Sequence, residues 1–182
     1  MGIIILKAFY FALPAYFGNM APVFLAKLKW FEFLNVPVDF DKRIGGQAIF
    51  GNHKTWRGLI SAPIAGIFIC FIQLLIYKIP FFNSISLFNY SEHWLWFGFL
   101  AGLGAIIGDL IKSFFKRRLR INPGMPWPIL DQLDLTIGFL AFTFWIVRPD
   151  LFIVWTLLFL GIILGYGSNL IAYELGLKKV WW

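Results

Sequence analysis

Cysteine, histidine and acidic residues are scarce in this chain. One cysteine, Cys70, and two histidines, His53 and His93, stand among 182 residues. A lone cysteine excludes an intrachain disulfide, and its place in an apolar run leaves thiol redox chemistry without support. His53 reads as a hydrogen-bonding loop residue rather than a metal ligand, and His93, beside Glu92, as an interfacial one. No P-loop, zinc motif or Ser-His-Asp set is found. Charge is sparse as well: 14% of the chain is charged, against 60% hydrophobic and 20% aromatic. With a mean hydropathy of +0.77 these proportions exclude an ordinary soluble domain. They point to one integral membrane domain over residues 1–182. The first apolar run lacks a basic leader and an A-x-A site, so it reads as a permanent span rather than a cleaved signal.

What the chain has instead is long apolar runs. Crossing the hydrocarbon takes roughly 20 mostly apolar residues in a helix. Residues 8–26 are uncharged, though Pro14, Asn19 and Pro22 imply a kink or a break. Residues 59–77 and 151–173 are clean runs, and 94–111 is interrupted only by Asp109. Residues 135–147 reach spanning length only if Asp131 and Asp134 join the first turns of their helix. The expected fold is all-α, with five transmembrane helices and two large cytoplasmic loops. Thirteen of the 16 Lys and Arg fall in the first-to-second connection, the third-to-fourth connection and the tail, which holds Lys178 and Lys179. Only Lys7, Lys78 and Arg148 fall on the other side. Positive residues stay inside, so the N-terminus is expected outside and the C-terminus in the cytoplasm of a cell-membrane protein. The same bias accounts for most of the net charge of +7, which removes the main argument for a nucleic-acid partner.

One stretch breaks the apolar pattern. Between Gly108 and Asp134, in GDLIKSFFKRRLRINPGMPWPILDQLD, three aspartates and five cations crowd together. On a continuing third helix Asp109, Lys112, Ser113 and Lys116 occupy positions i, i+3, i+4 and i+7, which is one face. Asp131 and Asp134, three apart where the fourth helix begins, share a face too. The proline- and glycine-rich INPGMPWP between them must be a loop, returning the chain to the same membrane side. Ionisable residues in spans tend to be functional, and carboxylates beside phosphates are the usual holders of Mg²⁺. The simpler alternative is that nearby lysines and arginines merely neutralise the aspartates at the interface.

The first cytoplasmic loop contains GGQAIFGNHKTWRG, residues 45–58. Its Asn52, Lys54, Thr55 and Arg57 are placed to wrap an anion, lysine as a point charge and arginine as a forked donor. Ordinary loop cations are the competing reading. Gly98, Gly102, Gly104 and Gly108 follow no strand, so they suit close helix packing rather than a dinucleotide site; Gly161 and Gly165 read alike.

GDLIKSFFKRR followed by DQLD resembles the signature of the phosphatidate cytidylyltransferase superfamily, G-D-L-x-x-S-x-x-K-R followed by D-R-x-D. Gly108, Asp109, Leu110, Ser113, Lys116 and Arg117 match the first part, and Asp131 and Asp134 the second. Gln132 stands where those enzymes usually carry arginine. That departure, the short chain, the NHKTWRG loop and the LGLKKVWW tail are similar to the small archaeal branch, the CDP-archaeol synthases. The resemblance implies CMP transfer from CTP to an isoprenoid ether-lipid phosphate, 2,3-bis-O-(geranylgeranyl)glycerol 1-phosphate, with release of pyrophosphate at the cytoplasmic membrane face. It implies Mg²⁺ held by Asp109, Asp131 and Asp134, with Ser113 near the metal or the triphosphate. Lys54, Arg57, Lys112, Lys116 and Arg117 would hold phosphates, and Asn52 and Thr55 would contact the nucleotide. A diacyl lipid phosphate, an acyl-phosphate-dependent acyltransferase and a transporter are the alternatives. The last would place its acids near mid-bilayer.

Overall fold

The computed structural model describes residues 2–122 and 124–174. The tail lysines, Lys178 and Lys179, and the LGLKKVWW segment lie outside the described residues. The described residues form five longer helices and one short one: α1 (Gly2–Lys27), α2 (Trp56–Ile76), then, after the short α3 (Pro80–Ile85), α4 (Tyr90–Arg118), α5 (Leu130–Thr143) and α6 (Leu151–Glu174). The loop between α1 and α2 carries a 3₁₀ turn at Glu32–Leu34 and a small antiparallel hairpin of β1 (Arg43–Ile44) and β2 (Gln47–Ala48).

α1 runs unbroken through Pro14 and Pro22, so the break the prolines suggested does not occur. Neighbouring helices and local adjustment compensate the lost hydrogen bonds in an apolar setting, and Pro14 is buried against them. α4 continues through Asp109 to Arg118, a rod of roughly 43 Å at 1.5 Å per residue. Among the described residues four helices, α1, α2, α4 and α6, are long and apolar enough to cross a bilayer. α5 does include Asp131 and Asp134, as spanning length required, but it stops at Thr143 after 14 residues. That gives roughly 21 Å against a hydrocarbon thickness of about 30 Å, so α5 does not cross by its own length.

Glycine sets how closely the helices meet. A Cβ on Gly102 would lie 2.2 Å from the Ala62 carbonyl oxygen, and one on Gly66 2.2 Å from that of Gly98. α2 and α4 therefore touch backbone to backbone. On another face of α4, a Cβ on Gly108 would lie 2.2 Å from the carbonyl oxygen of Asp134, and one on Gly138 2.2 Å from that of Gly104. These pairings make α5 antiparallel to α4, and Gly161 against Thr136 with Gly165 against Gln132 makes α6 antiparallel to α5. Gly58 meets Pro22 and Ile106, so the C-terminal part of α1, the start of α2, the end of α4, the start of α5 and the Gly165 end of α6 gather at one end. The aromatic core sits towards the other end. There Phe11, Phe97, Phe139 and Leu157 are fully buried, with ring centroids 5.1 Å apart for Phe11–Phe97 and 5.0 Å for Phe11–Phe139.

Candidate active site

At the gathered end, helical periodicity puts Asp109, Lys112, Ser113 and Lys116 on one side of α4, as the spacing predicts. The Gly108–Asp134 backbone contact brings the first turn of α5 against that side. Three carboxylates and three ammonium groups then interlock. Lys54 Nζ is 2.5 Å from Asp109 Oδ2. Lys112 Nζ is 3.0 Å from Asp109 Oδ1, 3.4 Å from Asp131 Oδ1 and 2.6 Å from Asp134 Oδ2. Lys116 Nζ donates to both oxygens of Asp131 at 3.0 Å and to the Met125 carbonyl at 2.6 Å. Asp131 also accepts the Trp127 N–H at 2.7 Å, so one carboxylate ties the loop before α5 to the end of α4.

Lysines do neutralise the aspartates, as the simpler reading has it. Exposed pairs contribute little and do not need to converge. Here all three carboxylates converge on one ammonium, Lys112, whose side chain is 16% exposed. Removing one member of such a buried set is costly, because it strands a charge that water no longer solvates.

The first loop reaches this cluster by long-range pairing. Residues 36–38 lie beside 54–56: Val38 N donates to Lys54 O at 2.8 Å and Trp56 N to Val36 O at 3.0 Å. Asp39, which the sequence reading passed over, is buried and accepts the N–H groups of Phe50 (2.8 Å) and Gly51 (3.3 Å). Its partners lie 11 and 12 residues ahead, so no local pattern announces it. Arg118, also passed over, donates to the carbonyls of Ile44, Gln47 and Ala48 and lies 5.1 Å over the Phe114 ring, which fastens the hairpin to α4.

Among the described residues, three cavities border Lys54 or Lys112 of the cluster, and a fourth reaches Asp131. A basic one of about 130 Å³ is lined by Asn52, Lys54, Lys112, Ser113, Lys116 and Arg117. Arg117 is buried, and its Nε has no hydrogen-bond partner among the described residues. A mixed one of about 290 Å³ between α1, α2 and α4 takes Asn19, His53, Thr55 and Asp109 into its wall. His53 lines both, although the sequence carried no functional signal for it. An apolar groove of about 230 Å³ between α4 and α5 includes Lys112 and Asp134.

Of the residues expected in the site, Asp109, Asp131, Asp134, Lys54, Lys112 and Lys116 are directly paired, while Asn52, Thr55, Ser113 and Arg117 line the adjoining cavities. Arg57 is not brought there. It is the second residue of α2, donates to Asn35 Oδ1 at 3.1 Å, and lines a separate apolar groove of about 530 Å³ between α1 and α2. The α1 and α2 residues lining that groove are different from those lining the cavity at Asp109. This groove is larger than each of the cavities at the cluster.

The donor set suits a hard divalent cation, since three carboxylates offer oxygens around one positive charge. Among the described residues no three acidic or imidazole side chains stand ready as a metal cage. The point where the carboxylates meet is taken by the Lys112 ammonium.

Comparison with known proteins agrees with this architecture. The family described as CarS-like, CDP-archaeol synthase, matches residues 1–182. CDP-archaeol synthases of Pyrococcus furiosus and Methanocaldococcus jannaschii are 40% and 33% identical over 180 residues, covering 98% of this chain and 98% of each relative. A solved structure, of an intramembrane enzyme for archaeal membrane lipids biosynthesis, superposes with a TM-score of 0.73 at 28% identity, covering 91% of this chain and 94% of its own.

Proposed function

The chain belongs to the CDP-archaeol synthase family, and from that premise we propose that its interlocked cluster transfers CMP from CTP to an isoprenoid ether-lipid phosphate. As a member of the family it is a membrane-embedded, CTP-using cytidylyltransferase. A phosphate oxygen of the lipid attacks the α-phosphorus of CTP in line. The bond from that phosphorus to the bridging α–β oxygen breaks, and pyrophosphate leaves with the electron pair. No strong base is needed, because a phosphate monoester is already largely ionised at neutral pH.

Positioning and charge are then most of the catalysis, as at phosphoryl centres generally. Lys54, Lys116 and Arg117 surround the basic cavity, where they hold the triphosphate and strengthen as charge moves onto the departing pyrophosphate. Ser113 and Asn52 add neutral donors at the same wall, and Thr55 lies in the adjoining one. Mg²⁺, held by Asp109, Asp131 and Asp134, would supply charge neutralisation across the phosphates. Lys112 must leave the carboxylates for that, and the incoming phosphates give it new partners. Arg57 has no part in this reading.

Orientation follows the cation bias of thirteen to three, with the cluster on the cytoplasmic face and α5 with residues 144–150 serving as the returning pass. The observation that carries the proposal is the meeting of a basic cavity and an apolar groove at one knot of three carboxylates. The test is pyrophosphate release by the purified protein, with CTP, dCTP, ATP or GTP, and with or without the ether-lipid phosphate. Release that requires the lipid and favours the cytidine nucleotides is expected. Lipid-independent release, or equal use of all four nucleotides, contradicts it.

A further inference from the structure

A lipid phosphate poses a geometric problem, because its chains must stay in the bilayer while its headgroup reaches charged side chains. Among the described residues an α1–α2 groove and an α4–α5 groove are apolar and open, and they differ in the charged residues that line them. The α1–α2 groove has Arg57, already engaged by Asn35, and none of the three carboxylates. The α4–α5 groove is walled by Ile107, Ile111, Phe115, Leu130, Ile137 and Ala141 and floored by Gly108 and Gly138. Lys112 and Asp134 are the two charged residues in its lining. Ile111, Phe115 and Ile137 are about half exposed, so the groove is open on the side that faces acyl or isoprenoid chains. Its floor exists because α4 and α5 touch at glycines, where a Cβ on Gly138 would lie 2.2 Å from the Gly104 carbonyl oxygen.

Lys112 is the one described residue that lines both this groove and the basic cavity. Resting on the transfer reaction proposed above, we infer that the α4–α5 groove seats the hydrocarbon chains of the acceptor lipid and that Lys112 receives its phosphate. The ammonium supplies the complementary charge at the only point where apolar groove and basic cavity meet among the described residues. Asp134 lines the same groove, 2.6 Å from Lys112 Nζ. The larger groove at Arg57 is left to bulk lipid.

Ala141→Trp and Ile137→Trp, both at exposed positions of α5, fill the groove without touching the ion cluster. Ile64→Trp does the same in the α1–α2 groove, where Ile64 is 60% exposed. With folding checked by melting, either α5 variant is expected to raise KM for the lipid phosphate about tenfold or more, the effect of keeping a few methylenes out of an apolar site. KM and binding for CTP are expected to stay unchanged, and Ile64→Trp is expected to change neither. A photo-crosslinking residue at position 137 should capture an ether-lipid monophosphate, and one at position 64 should not do so above the level of a neutral diether lipid. Unchanged lipid KM in both α5 variants, or a rise in Ile64→Trp instead, overturns the groove assignment while leaving the reaction standing. If the unaltered protein turns over no CTP with lipid phosphate, the reaction itself fails. Crosslinking then decides the groove alone, and equal capture at 137 and 64 rejects it.

Discussion

Replacing Asp134 with asparagine tests the cluster most sharply. The change removes one negative charge from a set in which three carboxylates face three ammonium groups, and it keeps the shape and one hydrogen-bonding oxygen. Asp134 Oδ2 lies 2.6 Å from Lys112 Nζ, and its side chain is 9% exposed. Lys112 would still have Asp109 at 3.0 Å and Asp131 at 3.4 Å, so the ammonium is not stranded. The loss of stability should therefore fall short of the roughly 3–5 kcal/mol that follows from leaving a buried charge alone. Catalysis responds differently. If Asp134 helps hold a cation against the triphosphate, its charge acts where the reaction redistributes charge, and removing one preorganised electrostatic group costs about a hundredfold in rate. The assay is pyrophosphate release at low Mg²⁺ with CTP and lipid phosphate, run beside a thermal melt of the same preparation. Partial rescue by higher Mg²⁺ or by Mn²⁺ is expected. Asp109→Asn and Asp131→Asn should behave alike, and a double variant should cost much less than the sum, because the three act as one unit. Near-normal turnover by well-folded Asp134→Asn protein at low Mg²⁺ would refute the reasoning and reduce Asp134 to a structural partner of Lys112.

Lys54→Ala or Lys116→Ala should raise KM for CTP or the lipid, whereas Arg57→Ala should lower the melting temperature and leave both KM values in place; the reverse pattern would move the phosphate site to the α1–α2 groove. Gly138→Val drives a side chain into the Gly104 carbonyl and should cost about 1–3 kcal/mol of stability or more, read as a lower Tm in detergent; an unchanged melt would mean that α4 and α5 are not in backbone contact. A cysteine placed between residues 83 and 91 should label from outside intact cells and one between 45 and 51 should not, Cys70 being fully buried and silent; reversed labelling would invert the membrane orientation.

Much of this was legible in the chain because it is local. Hydrophobic runs of spanning length mark α1, α2, α4 and α6, and a spacing of i, i+3, i+4 and i+7 places Asp109, Lys112, Ser113 and Lys116 together on any helix that continues that far. The xxx-spaced glycines of α4 anticipate its two close contacts, since the absence of Cβ is a property of the residue and not of its surroundings. Tertiary structure decided what depends on chain closure. Lys54 and Arg57 are three residues apart and look equivalent in sequence. Yet Lys54 lies in the loop, 55 residues from its partner Asp109, while Arg57 falls on the first turn of α2, pairs with Asn35 and lines a different groove. Where α2 starts is set by the pairing of residues 36–38 with 54–56, which no spacing announces. The length of α5, the turning of all three carboxylates to one ammonium, and the contact of that ammonium with both groove and cavity follow from how α4 and α5 dock. Docking is a property of two surfaces, each supplied by residues remote from the other in sequence.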